Sequence, residues 1–478
     1  MDVKFGTSGL RGKADELLAG AAARYTRAFC EYCRTAGHAE PGAPLFVARD
    51  LRASSPQITE VVLAEINREG FKPVNARTVP TPALASYAMA HKGPIIMVTG
   101  SHIPADRNGL KFYLPTGEIN KKDETAITAL AKKAGENKSD QQTASAPKAR
   151  KIQAAVLENF RRRYEHVLPE NALSGMQIGI YEHSSVAVPV LRQLLEGFGA
   201  KVIGFGATQT FTPVDTEALE EQTRIMLLQR AASLELDAII STDADGDRPL
   251  ITDGNGAQIP GDLAGCITAE LLGVDAVATP VTSNSGISAG TNFEVKRTRV
   301  GSPYVIAAME EMAEDSGRAD TRIVAGFEAN GGFLLGAPAS VNGFPVAPLP
   351  TRDSVLPILA VLARIATESA TGLKTDYGFK QTVSGRIPDF PTENSTALMK
   401  WLGESDDNAA KFMAPFGGLA GTDKTDGFRF STRNDHIVHL RPSGNAPEMR
   451  IYCEAETARI ARELFHQVRT EIMKYKTR

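Results

Sequence analysis

The chain has 478 residues, of which 42% are hydrophobic and 23% are charged. At ~100–200 residues per domain, this length predicts about three or four globular domains. The formal net charge of -3 argues against nucleic acid or an anionic membrane as the main partner, so any bound anion needs a local cluster of cations.

The N-terminal residues 1–12, MDVKFGTSGLRG, do not contain the apolar segment of a signal peptide. No stretch of the sequence approaches the ~20 consecutive apolar residues that a membrane-spanning helix requires. We therefore expect a cytoplasmic protein whose partners are small molecules, with neither nucleic acid nor a membrane among them.

Four cysteines in a chain of this length, without an export signal, predict reduced thiols. Cys30 and Cys33 form a C-x-x-C pair inside a segment that reads as a helix, and Cys266 and Cys453 lie far from them. A zinc site would need two further ligands nearby, and none is present. The pattern favours core packing over metal binding or redox chemistry.

Strands and helices alternate in the first part of the chain, which is typical of α/β layers. Residues 44–50 and 93–101 read as buried strands that end in polar loops, and residues 56–70 between them read as an amphipathic helix. The polar segment 132–151 is typical of a surface linker. These elements predict a first α/β unit followed by a connection.

A second unit contains the strand MQIGIYEHS, the helix AVPVLRQLLEGFG and the strand and loop ELDAIISTDADGDR, and a third begins near Gly261 and ends with a helix over 354–369. The last part has short strands and a terminal helix, which indicates an α+β domain. The predicted fold is α/β with four domains, namely three similar mixed α/β units and a smaller C-terminal α+β domain. The predicted boundaries are 1–148, 149–260, 261–374 and 375–478.

The sequence STDADGDRP places Asp243, Asp245 and Asp247 at alternate positions directly after a buried strand. Alternate side chains of an extended segment point the same way, so the three carboxylates converge and repel one another without a cation. Oxygen ligands of this kind suit Mg²⁺. An EF-hand is excluded because Arg248 and Gly254 stand where that loop needs Gly and Glu. An acidic surface turn is the alternative interpretation.

The segment TGSHIPADRNGLKFY (99–113) places Ser101 after an apolar strand, with His102, Arg107 and Lys111 nearby as donors. The segment is not the G-x-S-x-G of a hydrolase, and adjacent Ser and His side chains cannot easily form a nucleophile–base pair. A serine that carries a phosphate fits better, with that phosphate as one magnesium ligand and the three aspartates as the others. A plain turn with a capping serine remains the alternative.

Three further segments add candidate binding groups. The segment RPSGNAPEMR (441–450) offers cations, a hydroxyl, backbone N–H groups and an amide, which suit a phosphate dianion, although a β-turn between two strands is an equally good interpretation. The segment GFEANGGF (326–333) offers a carboxylate and an amide for sugar hydroxyls, and KFGTSGLRG (4–12) is a Gly-rich opening with Arg11. Each of the last two is weak alone.

Together, and in this order, these five segments resemble the motifs of the α-D-phosphohexomutase family, which includes phosphomannomutases, phosphoglucomutases and phosphoglucosamine mutases. The resemblance covers essentially the whole chain and implies four domains around a central cleft. It implies that Ser101 carries the phosphate and that Ser101, Asp243, Asp245 and Asp247 hold Mg²⁺. The implied catalytic residues are Ser101, His102, Lys111, Arg11 and Arg248. The implied substrate-binding residues are Glu328, Asn330, Arg441, Ser443, Gly444, Asn445 and Arg450.

The chain departs from the family pattern at several positions. Gly100 stands where family members often have Ala, and Ile103 where they have Asn. Gly332 and Ser302 stand where many members have His. The C-terminal loop reads SGNAP (443–447) rather than the common SGTEP. None of these departures removes a charge that phosphoryl transfer needs, so they bear on sugar specificity.

The resemblance implies interconversion of hexose 6-phosphate and hexose 1-phosphate, with mannose preferred over glucose or glucosamine and with a hexose 1,6-bisphosphate as intermediate and activator. The enzyme would then be an intramolecular phosphotransferase, an isomerase, that acts as a monomer or homodimer. Lys111 is the preferred general acid–base candidate and His102 its competitor. The alternatives are a silent sugar-phosphate-binding relative and a magnesium phosphatase or phosphotransferase with Asp243 as nucleophile.

Overall fold

The computed structural model describes residues 3–6, 9–135, 149–314, 322–368, 373, 377–443 and 447–476. Within these ranges, four sheets of four or more strands follow one another along the chain. Three of them combine parallel and antiparallel strands, and the fourth is antiparallel throughout. The predicted fold class is confirmed.

The first unit is built on an eight-stranded sheet. Its strands are β1 (Lys4–Phe5), β2 (Leu10–Lys13), β3 (Pro44–Arg49), β4 (Lys72–Thr78), β5 (Ile95–Val98), β6 (Arg107–Leu114), β7 (Gly117–Glu118) and β8 (Arg150–Lys151). They lie in the order β1-β2-β6-β5-β3-β4-β8, with β7 beside β6. Its helices are α1 (Ala14–Glu16), a π-helical turn (Leu17–Ala21), α2 (Ala22–Thr35), α3 (Ser55–Arg68), α4 (Thr81–Ala90) and α5 (Lys121–Ala134).

The second unit has a four-stranded sheet. Its elements are α6 (Gln153–Tyr164), β9 (Gln177–Tyr181), α7 (Val188–Gly197), β10 (Lys201–Phe205), α8 (Glu221–Ser233), β11 (Ala238–Thr242) and β12 (Pro249–Asp253). The strand order is β10-β9-β11-β12.

The third unit has a five-stranded sheet and a separate hairpin. Its elements are α9 (Gly261–Leu271), β13 (Ala276–Pro280), α10 (Ile287–Gly290), β14 (Glu294–Thr298), α11 (Ser302–Glu314), β15 (Val324–Phe327), β16 (Phe333–Leu335), β17 (Ala339–Val341), β18 (Phe344–Val346), β19 (Leu349–Asp353) and α12 (Val355–Thr367). The sheet order is β14-β13-β15-β16-β19, and β17 pairs with β18.

The fourth unit is an antiparallel sheet packed by helices. Its elements are β20 (Gln381–Ile387), α13 (Thr392–Glu404), α14 (Asp406–Met413), a short 3₁₀ turn (Ala414–Phe416), β21 (Leu419–Asp423), β22 (Phe428–Thr432), β23 (Ile437–Pro442), β24 (Met449–Ala455) and α15 (Ala458–Lys476). The sheet order is β20-β24-β23-β22-β21.

One topological feature is repeated in the three α/β units. In each, a buried strand pairs in parallel with one neighbour and then returns as an antiparallel strand, through the pairs β5–β6, β11–β12 and β15–β16. The loop between the two strands is therefore fixed at the carboxyl end of a parallel strand, where α/β proteins place ligand sites. Three of the five motifs lie on these loops.

The hydrophobic core is shared by the first three units. One continuous cluster contains Tyr113 of β6, Ile240 of β11 and Phe327 of β15, whereas the fourth unit packs its own core around Phe430 and Ile451. The fourth unit therefore has a hydrophobic core of its own, and it is joined to the third unit by hydrogen bonds such as those from the Ser285 and Val300 N–H groups to Glu454 and Asp426.

All four cysteines are buried and unpaired, as core packing requires. Burial raises the pKa of the Cys33 thiol on α2 to about 12. Among the described residues, no helix combines the length and apolarity needed to cross a bilayer.

The predicted linker over 132–151 is wrong at both ends. Helix α5 continues to Ala134, because its buried face includes Ile127 and Ala131 and its N-terminus is closed by a capping box at Asn120. At the other end, β8 adds to the first sheet beside β4. Residues 136–148 lie outside the described residues.

Candidate active site

Three carboxylates form a buried cluster at the end of β11. Asp243, Asp245 and Asp247 have no exposed surface, and one ligand oxygen from each lies within 4.8 Å of the others. One oxygen of Asp243 accepts the backbone N–H groups of Asp247 and Arg248 at 3.2 and 3.3 Å. Burial, and then the charges of Asp245 and Asp247, raise the pKa of Asp243 well above its ordinary value. Such a cluster is costly without a cation.

The hydrogen bonds of the cluster leave a place for that cation. Lys111 Nζ donates to the Oδ2 atoms of Asp245 and Asp247, at 2.6 Å each. Thr81 Oγ1 donates to the same oxygen of Asp245 at 2.6 Å. The Oδ1 atoms of Asp245 and Asp247 are buried and have no hydrogen-bond partner in the described part of the chain. Free carboxylate oxygens that converge in this way fit a hard divalent cation.

Ser101 lies against this cluster in the loop after β5. It is 1% exposed, and its Oγ donates a short hydrogen bond to Asp243 Oδ2. Its backbone has φ of 52°, a left-handed conformation that non-glycine residues adopt mainly where the surrounding structure enforces it. The Ser101 N–H donates to Thr99 Oγ1 at 2.8 Å. Ser101 and the three aspartates, which are far apart in the sequence, therefore lie together in the fold.

Arg52 fixes the conformation of the serine loop, and no sequence motif includes this residue. This arginine is 1% exposed. Its Nη2 donates to the carbonyls of Ser101 and Ile103 at 2.7 and 2.6 Å, and its Nη1 donates to those of Pro104 and Arg107 at 2.7 and 2.9 Å. A charged donor that serves four carbonyls holds the loop as a rigid unit.

The position of Arg52 accounts for the glycine before the serine. A Cβ atom on Gly100 would lie 2.5 Å from Arg52 Cζ. Asp50 pairs with the same guanidinium at 3.2 Å, and the ring of Phe211 covers it at 4.3 Å. The space that a side chain at position 100 would occupy is filled by the arginine, so Gly100 is compatible with an intact serine loop.

Two predicted cations lie next to the residues around Ser101. Arg11 Nη1 donates to the carbonyl of Thr99 at 2.7 Å, and burial lowers the pKa of Arg11 to about 10, which leaves it charged at neutral pH. Arg248 Nη1 donates to His102 Nδ1 at 2.9 Å, and its Nε lies 3.7 Å from Asp247 Oδ1. Both arginines therefore place positive charge around Ser101.

His102 is held as a neutral acceptor. Desolvation in the cleft, and then the charge of Arg248, lower the pKa of His102 to about 3. Because the imidazole of the unfolded chain titrates at about 6.5, acid favours unfolding. The contribution of His102 to the free energy of unfolding is present above about pH 6.5 and is lost as the pH falls toward 3.

We expect the ¹³Cε1 signal of His102 in metal-free, unphosphorylated protein to show no titration between about pH 5 and 8. The signal is assigned by comparing histidine-labelled wild-type protein with the His102→Gln variant. Phosphorylation of Ser101 should raise the midpoint, because a dianion beside the ring favours the imidazolium. A midpoint near the ordinary histidine value in the unphosphorylated protein would contradict the geometry.

The loop after β15 presents Glu328 and Asn330, which are 5% and 6% exposed. Asn330 Oδ1 accepts the N–H of Gly332 at 3.0 Å, and its carbonyl accepts a hydrogen bond from Thr216 Oγ1 at 3.2 Å. The turn is thereby tied to the second unit. Glu328 Oε2 lies 3.3 Å from Nη1 of Arg352. Arg352 is not among the site residues predicted from the sequence.

The predicted phosphate-binding segment lies on the fourth unit, on a different sheet from the acidic cluster. Arg441 of β23 and Arg450 of β24 are directly opposite in the antiparallel register, and Arg386 of β20 is opposite Arg450 on its other side. Asp426 lies 3.7 Å from Arg441 Nη1, and Glu448 lies 3.3 Å from Arg450 Nη2 and 3.4 Å from Arg386 Nη1, so carboxylates of the fourth unit offset part of this positive charge. The Ser443 N–H donates to the carbonyl of Glu448 at 2.9 Å. Gly444 and Asn445 of this predicted site lie outside the described residues.

A serine hydroxyl on a three-carboxylate pocket, surrounded by cations and placed on repeated α/β units, is the arrangement expected of an enzyme that transfers phosphoryl groups. The chain belongs to the phosphoglucomutase/phosphomannomutase family, whose members are isomerases. Its residues match the models of all four family domains, namely alpha/beta/alpha domain I at 2–138, domain II at 158–256, domain III at 260–377 and the C-terminal domain at 399–471. The resemblance seen in the motifs is confirmed.

Among curated relatives, the chain is 46% identical over 470 residues to a phosphomannomutase of Sinorhizobium fredii, with 98% of each chain covered. It is 40% identical over 475 residues to a phosphomannomutase of Salmonella muenchen, covering 98% of this chain and 95% of that one. Phosphoglucosamine mutases are more distant, as in Acidothermus cellulolyticus at 29% identity over 493 residues, covering 98% of this chain and 96% of the relative.

Among solved structures, a putative phosphomannomutase from Thermus thermophilus superposes with a TM-score of 0.73 at 20% identity and covers 99% of both chains. An N-acetylphosphoglucosamine mutase from Aspergillus fumigatus, solved with GlcNAc-6P and magnesium, gives a TM-score of 0.58 at 13% identity, covering 99% of this chain and 96% of that one. These likenesses show that the four-unit fold is shared.

Proposed function

We propose that this chain interconverts mannose 6-phosphate and mannose 1-phosphate through a phosphoserine at Ser101 and a mannose 1,6-bisphosphate intermediate. The observation that carries the proposal is the contact of Ser101 Oγ with Asp243 inside a buried carboxylate cluster. The choice of mannose is supported by the two phosphomannomutases at 46% and 40% identity.

The residues present fit Mg²⁺, which would be held by Asp243, Asp245, Asp247 and the phosphate on Ser101. The bound cation would supply positive charge to the phosphoryl oxygens. The uncovered Oδ1 atoms of Asp245 and Asp247 support this assignment, because their partner oxygens are already occupied by Lys111.

In the forward half-reaction, the bond between phosphorus and Ser101 Oγ breaks and a bond to the free hydroxyl of the hexose monophosphate forms. The sugar hydroxyl gives up one proton and Ser101 Oγ takes up one, so the step neither gains nor releases a net proton. Arg11 and Arg248 stabilise the charge on the transferring group, since such catalysis rests on positioning and electrostatics. His102 Nδ1 lies 3.4 Å from Ser101 Oγ, but it accepts a hydrogen bond from Arg248 and so has no proton to donate. Lys111 is therefore the preferred proton donor to Ser101.

In this proposal, the sugar binds to the segment 326–333, and its second phosphate binds to the segment 441–450. Glu328 accepts hydrogen bonds from sugar hydroxyls, and the NH₂ group of Asn330 donates to them. The arginines on β23 and β24, together with the loop containing Ser443, Gly444 and Asn445, bind the phosphate that does not react. Turnover requires the bisphosphate to present its other end to Ser101, and the separate core of the fourth unit supports the motion that this exchange needs.

The test compares turnover of mannose 1-phosphate, glucose 1-phosphate and glucosamine 1-phosphate, with the label located by peptide mass after treatment with hexose 1,6-bisphosphate. We expect the highest kcat/KM with mannose 1-phosphate and the phosphoryl group on Ser101. A clear preference for glucosamine 1-phosphate would refute the sugar assignment. A label on Asp243 would favour the phosphotransferase alternative, and binding without turnover would favour a silent relative.

A further inference from the structure

Arg352, at the end of β19, lies between the metal loop and the sugar loop. Its side chain is 1% exposed. Its Nε and Nη2 both lie 3.0 Å from Asp247 Oδ2. Its Nη1 lies 3.3 Å from Glu328 Oε2 and donates to Ser302 Oγ at 3.1 Å. One guanidinium therefore contacts a carboxylate of the acidic cluster and the carboxylate of the sugar loop.

Two departures from the family motifs converge on this arginine. A Cβ atom on Gly332 would lie 2.6 Å from Cγ and from Cδ of Arg352, so the absent side chain is what leaves room for the arginine stem. Ser302, the other departure, is an acceptor for its guanidinium. Both positions are explained by the presence of Arg352 rather than by two separate changes.

The guanidinium is also fixed from the first unit. Ser302 Oγ donates to Glu118 Oε2 at 2.7 Å, and Thr351 Oγ1 donates to Glu118 Oε1 at 2.8 Å. Glu118 thereby holds both the hydroxyl that Arg352 contacts and the residue that precedes Arg352 in β19. Contacts to two units set the orientation of the Arg352 guanidinium, and a fixed orientation is what a precise positioning role requires.

The charges of the site agree with this arrangement. Against burial, which raises it, the charges of Arg352 and Lys111 hold the pKa of Asp247 below its ordinary value. Both cations contact Oδ2 of Asp247, so its Oδ1 stays available to a metal ion. Because Arg352 carries one positive charge and Glu328 one negative charge, the pair does not change the net charge of the site.

We propose that Arg352 is a positioning residue that fixes the sugar-loop carboxylate Glu328 relative to the metal-loop carboxylate Asp247. The proposal rests on the proposed mutase function and extends it to a residue that no motif contains. A planar fork can serve two carboxylates at once, whereas the single ammonium of a lysine cannot. Replacing the guanidinium of Arg352 should therefore weaken both sugar binding and metal binding.

The test uses the full-length variants Arg352→Lys and Arg352→Gln, with Arg364→Lys as the matched control. Arg364 lies on α12, is 31% exposed and pairs with Glu368 away from the site. Four quantities are measured, namely kcat and KM with mannose 1-phosphate, the Kd of Mn²⁺ by electron paramagnetic resonance in protein without sugar, and the Kd of mannose 1-phosphate by calorimetry.

For Arg352→Lys we expect kcat/KM to fall about 100-fold through both a lower kcat and a higher KM, and the Mn²⁺ Kd to rise about tenfold. Arg352→Gln should behave alike, and Arg364→Lys should match the wild type. If Arg352→Lys stays within about threefold of the wild type in all quantities, charge alone suffices and the positioning role is wrong.

Two milder variants keep the test decisive if the Arg352 variants fold poorly. Gly332→Ala presses on the arginine stem, and Ser302→Ala removes one acceptor, while both leave every charge in place. Gly332→Ala should shift KM and the Mn²⁺ Kd in the same direction as Arg352→Lys, and unchanged values in both variants would overturn the proposal. If the wild-type protein turns over no hexose phosphate, the proposed mutase function is wrong. The Kd of Mn²⁺ and the Kd of mannose 1-phosphate still test the positioning role of Arg352 in that case.

Discussion

The substitution Ser101→Ala is expected to abolish mutase turnover, with a loss of at least about 10⁴-fold in kcat. The hydroxyl is the atom to which the phosphoryl group is attached in the proposed mechanism, so its removal leaves no enzyme-bound donor. Binding of mannose 1-phosphate should change by no more than about threefold, because Ser101 Oγ bonds to Asp243 and not to the sugar-loop residues. Turnover is measured in a coupled assay and binding by calorimetry.

The control for this variant is Ser86→Ala, since Ser86 is a partly exposed serine on α4 whose hydroxyl makes a long contact of 3.4 Å to Asn159. Intact mass after treatment with hexose 1,6-bisphosphate should show one added phosphoryl group on the wild type and on Ser86→Ala, and none on Ser101→Ala. Retained turnover by Ser101→Ala would refute the phosphoserine mechanism, whatever the sugar.

The second large effect is expected for Asp245→Asn. Oδ2 of Asp245 accepts hydrogen bonds from Lys111 and Thr81, so the carboxamide oxygen of an asparagine takes that side. Its NH₂ group then replaces Oδ1 and points toward the cation. We expect Mg²⁺ affinity to fall at least about 100-fold and turnover to fall with it.

Asp253→Asn is the matched control, because Asp253 lies in the hairpin of the same unit and its Oδ1 accepts two backbone N–H groups that an asparagine also satisfies. Mn²⁺ titration followed by electron paramagnetic resonance measures the affinity, and chelation with EDTA should reduce the wild type to the level of Asp245→Asn. Without metal, Asp245→Asn should lower the free energy of unfolding, because it removes the charge of a buried partner of Lys111 Nζ at 2.6 Å, and Lys111 holds the pKa of Asp245 below its ordinary value against burial and the charge of Asp247. Equal Mn²⁺ affinity in the two variants would contradict the site.

The sequence contained the fold class and the positions of the active groups because both follow local rules. Alternating buried strands and amphipathic helices predict α/β units, and polar side chains directly after a buried strand lie at the sheet edge where ligands bind. Asp243 after β11, Ser101 after β5 and Glu328 after β15 each satisfy this rule. The five motifs and their order along the chain were sufficient to identify the family.

The residues that orient those groups were not visible in the sequence. Arg52 contacts carbonyls 49 to 55 positions away, and Arg352 joins loops 105 and 24 positions away. Arg386 becomes a neighbour of Arg450 only through strand pairing. In the sequence, each of these arginines looks like an ordinary surface residue.

What the sequence by itself determined is therefore the type of chemistry, since carboxylates, a serine and glycine-rich loops at strand ends are properties of short segments. What only the tertiary structure decided is the relative placement of these segments, and with it the roles of Arg52 and Arg352 and the reasons for Gly100 and Gly332. The physical reason is that a buried charge is stable only beside a partner, and here the partner comes from a distant part of the chain that packing alone brings near.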